Sequence, residues 1–167
     1  FRVLTLMDEY TRECLAAHVD WSIRAVDVIM VVAAMARYGV PEHLRRDNGP
    51  EFIVYAIPDW LSEKNVKTIS ITPGAPWENP YLERFHDKLR DEGLNRELFG
   101  SLWEARVVIE PWRLHYNAAR PHSALGYQTP NEFAGRAIAP AGLRSGFALP
   151  PSRRGERNIK PMAGLYL

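Results

Sequence analysis

Arg-Arg-Asp-Asn-Gly-Pro-Glu-Phe (45–52) and Pro-Trp-Glu-Asn-Pro-Tyr-Leu-Glu-Arg-Phe (76–85) decide how this chain is read. The first carries Asp47 at the end of a short strand-like run, His43 to Arg46. The second leads into a helix. Pro80 takes the first-turn position, where a missing N–H costs nothing because no helical partner exists there. Thirty-five residues separate Asp47 from Glu83. With 20 acidic residues in the chain, that interval alone selects nothing, so the flanking residues must.

On the N-terminal side, Phe1 to Met7 and Cys14 to Val19 are apolar stretches joined by Asp-Glu-Tyr-Thr-Arg, which predicts a hairpin over 1–19. Ser22 is the expected N-cap of a helix ending before Gly39. That helix is apolar on nearly every side and is expected to be buried. Residues 57–64 read as a helix, 68–72 as a strand with alternating Ile69 and Ile71, and 73–78 as a loop. After the Glu83 helix, Ser101 with Glu104 three residues on forms a capping box for another helix. Pro111 is expected to kink it, since an interior proline costs roughly 3 kcal/mol. From Ile138 onward Pro, Gly, Ala and Arg dominate without periodicity. The expected division is a core at 1–137 and an extended or disordered tail at 138–167. Alternating strands and helices of this order predict a mixed α/β sheet flanked by helices.

Composition sets outer bounds. A chain of 167 residues with 46% hydrophobic and 25% charged residues suits one domain with a sizeable core. Net charge is +1, so any basic surface has to be local. A lone Cys14 excludes an internal disulfide framework and leans towards a reducing compartment. The longest apolar run, Val28 to Ala36, is too short to span a bilayer, and no signal-peptide pattern opens the sequence. The opening residue is Phe1 rather than Met, which leads us to expect a truncated start.

At about 100° per residue, Leu82, Phe85 and Leu89 share one face of the 80s helix. Glu83, Asp87 and Arg90 fall in a sector roughly 60° wide beside it. Alone, this pattern describes a solvated face with a weak Glu–Arg pair. Its surroundings change that. Asp-Asn-Gly-Pro-Glu-Phe (47–52), the stretch 76–92, and Tyr-Asn-Ala-Ala-Arg-Pro-His-Ser-Ala-Leu-Gly-Tyr-Gln-Thr-Pro (116–130) occur in that order. Together they resemble the retroviral-integrase superfamily, and within it the integrase-core insertion-sequence transposases with an Asp, Asp, Glu triad.

The resemblance implies a ribonuclease-H-like mixed sheet with helices on both sides. It implies cleavage of a phosphodiester and attack of the freed 3′-hydroxyl on target DNA. Two Mg²⁺ (or Mn²⁺) ions about 3.5–4 Å apart do this chemistry, and hard cations of this kind take carboxylate oxygens. Asp47 and Glu83 are the implied metal ligands and catalytic residues. Arg46, Asn48, Trp77, Lys88, Arg90, Arg120 and His122 are the expected DNA-facing set. Implied partners are transposon ends, target DNA and further copies or a full-length transposase, in the cytoplasm of a bacterium, near its nucleoid and away from membranes.

By the family pattern the first aspartate falls upstream of Phe1, on the strand that lies centrally between the hairpin and the Asp47 strand. The sheet is therefore expected to lack that strand, leaving two neighbours with unpaired backbone groups and a marginal fold. The chain alone is expected to be inactive. The alternative is a non-catalytic module that binds DNA or a transposase and modulates transposition; a ribonuclease acting on hybrids is a third reading. Asp8 does not replace the missing acid, because it sits where an Asp-x-x-Thr-Arg turn needs a capping oxygen, with Arg12 pairing with Asp8 or a neighbour. Ser123 next to His122 lacks any nucleophile-elbow context, and the histidines show no zinc spacing. Trp21, Trp60, Trp103 and Trp112 are expected in the core, with Trp77 alone a candidate for stacking on a base.

Overall fold

The computed structural model describes residues 1–33, 41–46, 56–70, 80–138 and 162–166. Strand β1 (Arg2–Asp8) pairs antiparallel with β2 (Cys14–Asp20), the hairpin expected from the sequence. Asp8 closes its turn, with Oδ1 accepting from the Tyr10 N–H at 2.8 Å and the Thr11 N–H at 3.3 Å. Both faces of β1 are buried, as its nearly unbroken apolar run requires. Leu4 and Leu6 pack with Val28, Val32 and Leu61, whereas Met7 packs with Leu82, Phe85 and Ile109. Two cores on opposite faces of one strand make a three-layer molecule, with the sheet in the middle.

The first core is roofed by α1 (Ala25–Ala33) and α2 (Ala56–Glu63). Helix α1 starts at Ala25, two residues later than the Ser22 cap predicts. Asp27, in the third helical position, reaches back to the Arg24 N–H at 2.9 Å and so supplies the cap itself. Nor is the helix buried all round. Val28, Val31 and Val32 are covered, but Val26 and Met30 are about half exposed. The predicted end before Gly39 lies outside the described residues. Of the tryptophans expected inside, Trp21 and Trp103 are 65% and 70% exposed.

The second core lies beneath α3 (Pro80–Leu89) and α4 (Leu102–Ala119), with α5 (Pro130–Ile138) beyond. Helix α3 runs on into a π-helical turn, Arg90–Leu94. The Ser101 hydroxyl accepts the Glu104 N–H at 3.2 Å, the forward arm of the expected box, while Glu104 takes the N–H of Gly100. Helix α4 continues unbroken through Pro111. Val107, four residues back and the residue whose carbonyl loses its partner, is half exposed, so water can satisfy that oxygen. Helix α5 carries a box the sequence reading missed: Thr129 and Glu132 exchange backbone N–H bonds at 2.9 and 3.2 Å, with Pro130 in the first turn.

The five-stranded sheet has the order β2-β1-β5-β3-β4. Strand β3 (His43–Arg46) is parallel to β4 (Lys67–Ser70). Between β1 and β3, where an open seam was expected, lies β5 (Met162–Tyr166). It is antiparallel to β1, with Thr5 opposite Tyr166, and parallel to β3, with Arg46 opposite Leu165. Two rows of otherwise unpaired N–H and C=O groups are thereby satisfied.

Removing residues 162–167 should therefore reopen the seam and abolish a cooperative urea transition; a midpoint unchanged from that of the 1–167 chain would contradict this pairing. On the other face, Phe85→Ala should cost about 3–5 kcal/mol in the same measurement, because the ring is fully buried.

Candidate active site

Helix α3 has one buried stripe and two exposed ones. Leu82, Phe85 and Leu89 are at most 3% exposed and fix its rotation. Phe85 meets Trp112 and Tyr116 edge-on, at centroid distances of 5.4 and 4.9 Å. Half-buried His86 reaches the sheet, its Nε2 lying 2.8 Å from the Thr5 hydroxyl. Burial, and then the Arg90 cation, push this imidazole down to about 4, against the opposing pull of Asp87.

On the first exposed stripe stand Glu83, Asp87 and Arg90. Arg90 Nη1 lies 3.6 Å from Asp87 Oδ1, an exposed pair of the kind that holds neither partner firmly. Glu83 has no hydrogen-bond or ion-pair partner among the described residues, so its oxygens are open to a ligand. Strand β3 ends at Arg46. Asp47, Asn48, Trp77 and the Arg46 side chain lie outside the described residues. Among the described residues no group of three or more acids, histidines or cysteines forms a metal cage. A solvent-facing carboxylate such as that of Glu83 has the oxygen chemistry that a hard divalent cation takes.

Lys88, Arg120 and His122 go elsewhere. Lys88 is about 140° around α3 from Glu83. With Tyr81 and Arg84 it lines one wall of a cleft of about 350 Å³, whose other walls come from Arg12 in the hairpin turn, Arg120 and His122. Thus the described members of the expected DNA-facing set divide, with Arg90 on the Glu83 side of α3 and Lys88, Arg120 and His122 at the cleft. Arg12 has a left-handed backbone, φ 64°, and its guanidinium carbon lies 3.4 Å from the Tyr81 ring centroid. Its neighbour in the cleft is thus Tyr81, a contact across the fold that sequence spacing does not reveal. Arg120 binds the carboxylate of Glu92, which also accepts from Trp112 Nε1 at 3.2 Å. That hydrogen bond to Arg120 holds the Glu92 carboxyl below its ordinary range, with burial opposing. Burial lowers His122, and Arg120, Arg12 and Lys88 add to the effect.

Residues 1–76 and residues 64–130 match two family models, each described as Integrase core domain. The chain is 43% identical over 134 residues to an uncharacterized 39.2 kDa protein of insertion element IS476 from Xanthomonas euvesicatoria, a match covering 80% of this chain and 39% of that protein. It is 40% identical over 147 residues to an uncharacterized 31.7 kDa protein of insertion element IS407 from Burkholderia multivorans, covering 87% of this chain and 53% of that one. It therefore spans about half, or less, of the length of these relatives. Among solved structures, the catalytic core of BIV integrase superposes with a TM-score of 0.55 at 21% identity, over 72% of this chain and 77% of that one. The HTLV-2 integrase core in complex with magnesium, in its trimeric form, gives 0.60 at 16% identity, over 78% of this chain and 83% of that one. At such identities the likeness is one of fold, and the fold is ribonuclease-H-like. The chain belongs to the integrase-core superfamily. Within it, the two relatives named above are proteins of bacterial insertion elements.

The His86 geometry gives a pH dependence with a definite sign. Unfolded, the imidazole returns to an ordinary value of 6.5; folded, it sits near 4, so the unfolded state binds more protons between the two. This contribution to stability is intact above 6.5 and is lost as pH falls towards 4, by at most about 1.4 kcal/mol per pH unit. His122 acts in the same direction and Glu9, whose pKa burial raises, in the opposite one. In His86→Gln, which keeps a polar group beside Thr5, urea midpoints between pH 7 and 4.5 should fall less steeply. Parallel profiles for the two proteins would show that His86 does not titrate with folding.

Proposed function

We propose that this chain is the core of a DNA transposase in which Asp47 and Glu83 are metal ligands and Arg90 meets a phosphate. The observation carrying this is Glu83: unpartnered among the described residues, exposed, and on a helix rotated by its buried stripe so that Arg90 shares the same side. The 35-residue interval and the integrase-core matches on both sides of it support the assignment. Mg²⁺ or Mn²⁺ bound there supplies Lewis-acid stabilisation of charge on the phosphate oxygens when present. The chain's own part is to hold the cation through Asp47 and Glu83 and to position the backbone with Arg90, Arg46, Asn48 and Trp77. Partners are transposon ends and target DNA in the bacterial cytoplasm, with a second copy or a full-length transposase bringing two ends together.

Residues 1–167 hold two of the triad's three acids. Assayed alone, they bind the metal and DNA without turnover, because two carboxylates do not hold two cations in the geometry that in-line displacement needs. That composition also favours a second reading, a non-catalytic module that binds DNA or a transposase and modulates transposition.

Mn²⁺ titrated into ¹⁵N-labelled protein should broaden the amides of residues 81–90 selectively, and Glu83→Gln should remove the effect. Broadening that survives Glu83→Gln would disprove the metal assignment. A strand-transfer assay on matched end DNA with either cation should give no product; turnover abolished by Glu83→Gln would instead restore a complete active site.

A further inference from the structure

The cleft behind α3 is the feature that the catalytic assignment leaves unused. Four cationic side chains line it: Arg12, Arg84, Lys88 and Arg120. Among the described residues no carboxylate lines it, and Arg120 is ion-paired with Glu92, which lies outside the lining and also acts on Lys88 through space. Arg84 and Lys88 are exposed, so their heads can move to meet a ligand. Arg12 is different. Its Nε and Nη1 are buried, yet neither has a hydrogen-bond partner among the described residues; its guanidinium lies over the Tyr81 ring, and the Glu9 carboxyl acts on its charge through space. His122 Nε2, on the opposite wall, is likewise buried with no hydrogen-bond partner among the described residues. Buried guanidinium donors left unpaired are costly, and an anion at this point would satisfy them with charge-assisted bonds.

We propose that this cleft is a phosphodiester-binding site, built by Arg12, Arg84 and Lys88 with His122, which holds the DNA backbone on the side of α3 away from Glu83. The site's cationic character stands on the cleft geometry alone; the choice of DNA as the polymer rests on the transposase reading. A backbone suits it better than a compact anion would. The cations come from separate elements, Arg12 from the hairpin turn, Arg84 and Lys88 one turn apart on α3, and Arg120 from the end of α4, rather than from one point, and the cleft opens to solvent where Arg84 and Lys88 stand. A strand held here and another at Glu83 would lie on opposite sides of one helix, which is how one domain could grip two separate segments of DNA.

The test uses the 1–167 chain, a short DNA duplex and inorganic phosphate as probes. In ¹⁵N spectra the Arg12 Nε–Hε resonance should shift on adding duplex. Arg84→Glu/Lys88→Glu should weaken duplex binding about tenfold or more and flatten the plot of log affinity against log salt by about 2, one unit per lost phosphate contact. The charge-matched Arg96→Glu/Arg136→Glu, on exposed positions outside the cleft, should stay within about twofold. Equal losses in both double variants would reduce the effect to net charge and overturn the site. An Arg12 shift with phosphate but not with duplex would overturn the polymer, and no shift with either would overturn the site outright. Failure of the metal assignment shows separately, in the Mn²⁺ response of Glu83→Gln, which none of these readouts involves.

Discussion

Phe85, wedged against Trp112 and Tyr116, is the contact on which the functional geometry depends. Each aromatic pair contributes about 0.5–1.5 kcal/mol beyond the area it buries, but its larger effect is directional. A helix whose inward stripe is fixed has no freedom left for its other faces. Once Leu82, Phe85 and Leu89 are seated, Glu83 and Arg90 must emerge on one side and Arg84 and Lys88 on another. The acid and the cations are thus separated by the helix itself, without any need for a rigid loop.

Helix α4, the other half of that contact, also guards the sheet. Strand β2 lies at an edge, where unpaired carbonyls invite another chain to add on. Asn117 answers the backbone of Cys14 twice, accepting its N–H at 2.8 Å and donating to its carbonyl at 2.9 Å, in imitation of a neighbouring strand. Arg113 donates to the same carbonyl at 2.6 Å, and Arg106 takes that of Val19 at 2.9 Å. Buried beneath, the Cys14 thiol is pushed up to about 12, which leaves it unreactive. Much of the polar chemistry on α4 is therefore structural.

The sequence disclosed what local physics decides. The hairpin, the Ser101 cap and the first-turn Pro80 each follow from a few adjacent residues, and the buried stripe of α3 follows from spacing alone. Where two caps competed, local reading erred: Ser22 has the better side chain, but Asp27 has the better position. The Thr129–Glu132 box was equally visible and was passed over within the longer closing signature. Non-local partners were not legible. Nothing near Arg12 in the chain announces Tyr81, and nothing in Met-Ala-Gly-Leu-Tyr, set in a Pro- and Gly-rich stretch, announces a place at the centre of a sheet. As for the site, Glu83 and its companions on α3 could be placed, while the split between Arg90 and Lys88 needed the packing of a second helix to become visible.

That central strand has a consequence for how the molecule is made. During synthesis, β1 and β2 leave the ribosome before the other strands of this sheet and can zip together at once, whereas the segment that joins them to β3 emerges only after residues 1–161. Until then the sheet exists as two halves with facing raw edges, and closing it means finding a partner nearly the whole chain away, a slow step by topology. Chaperones that shield strand edges would have their longest window of action on this protein in that interval.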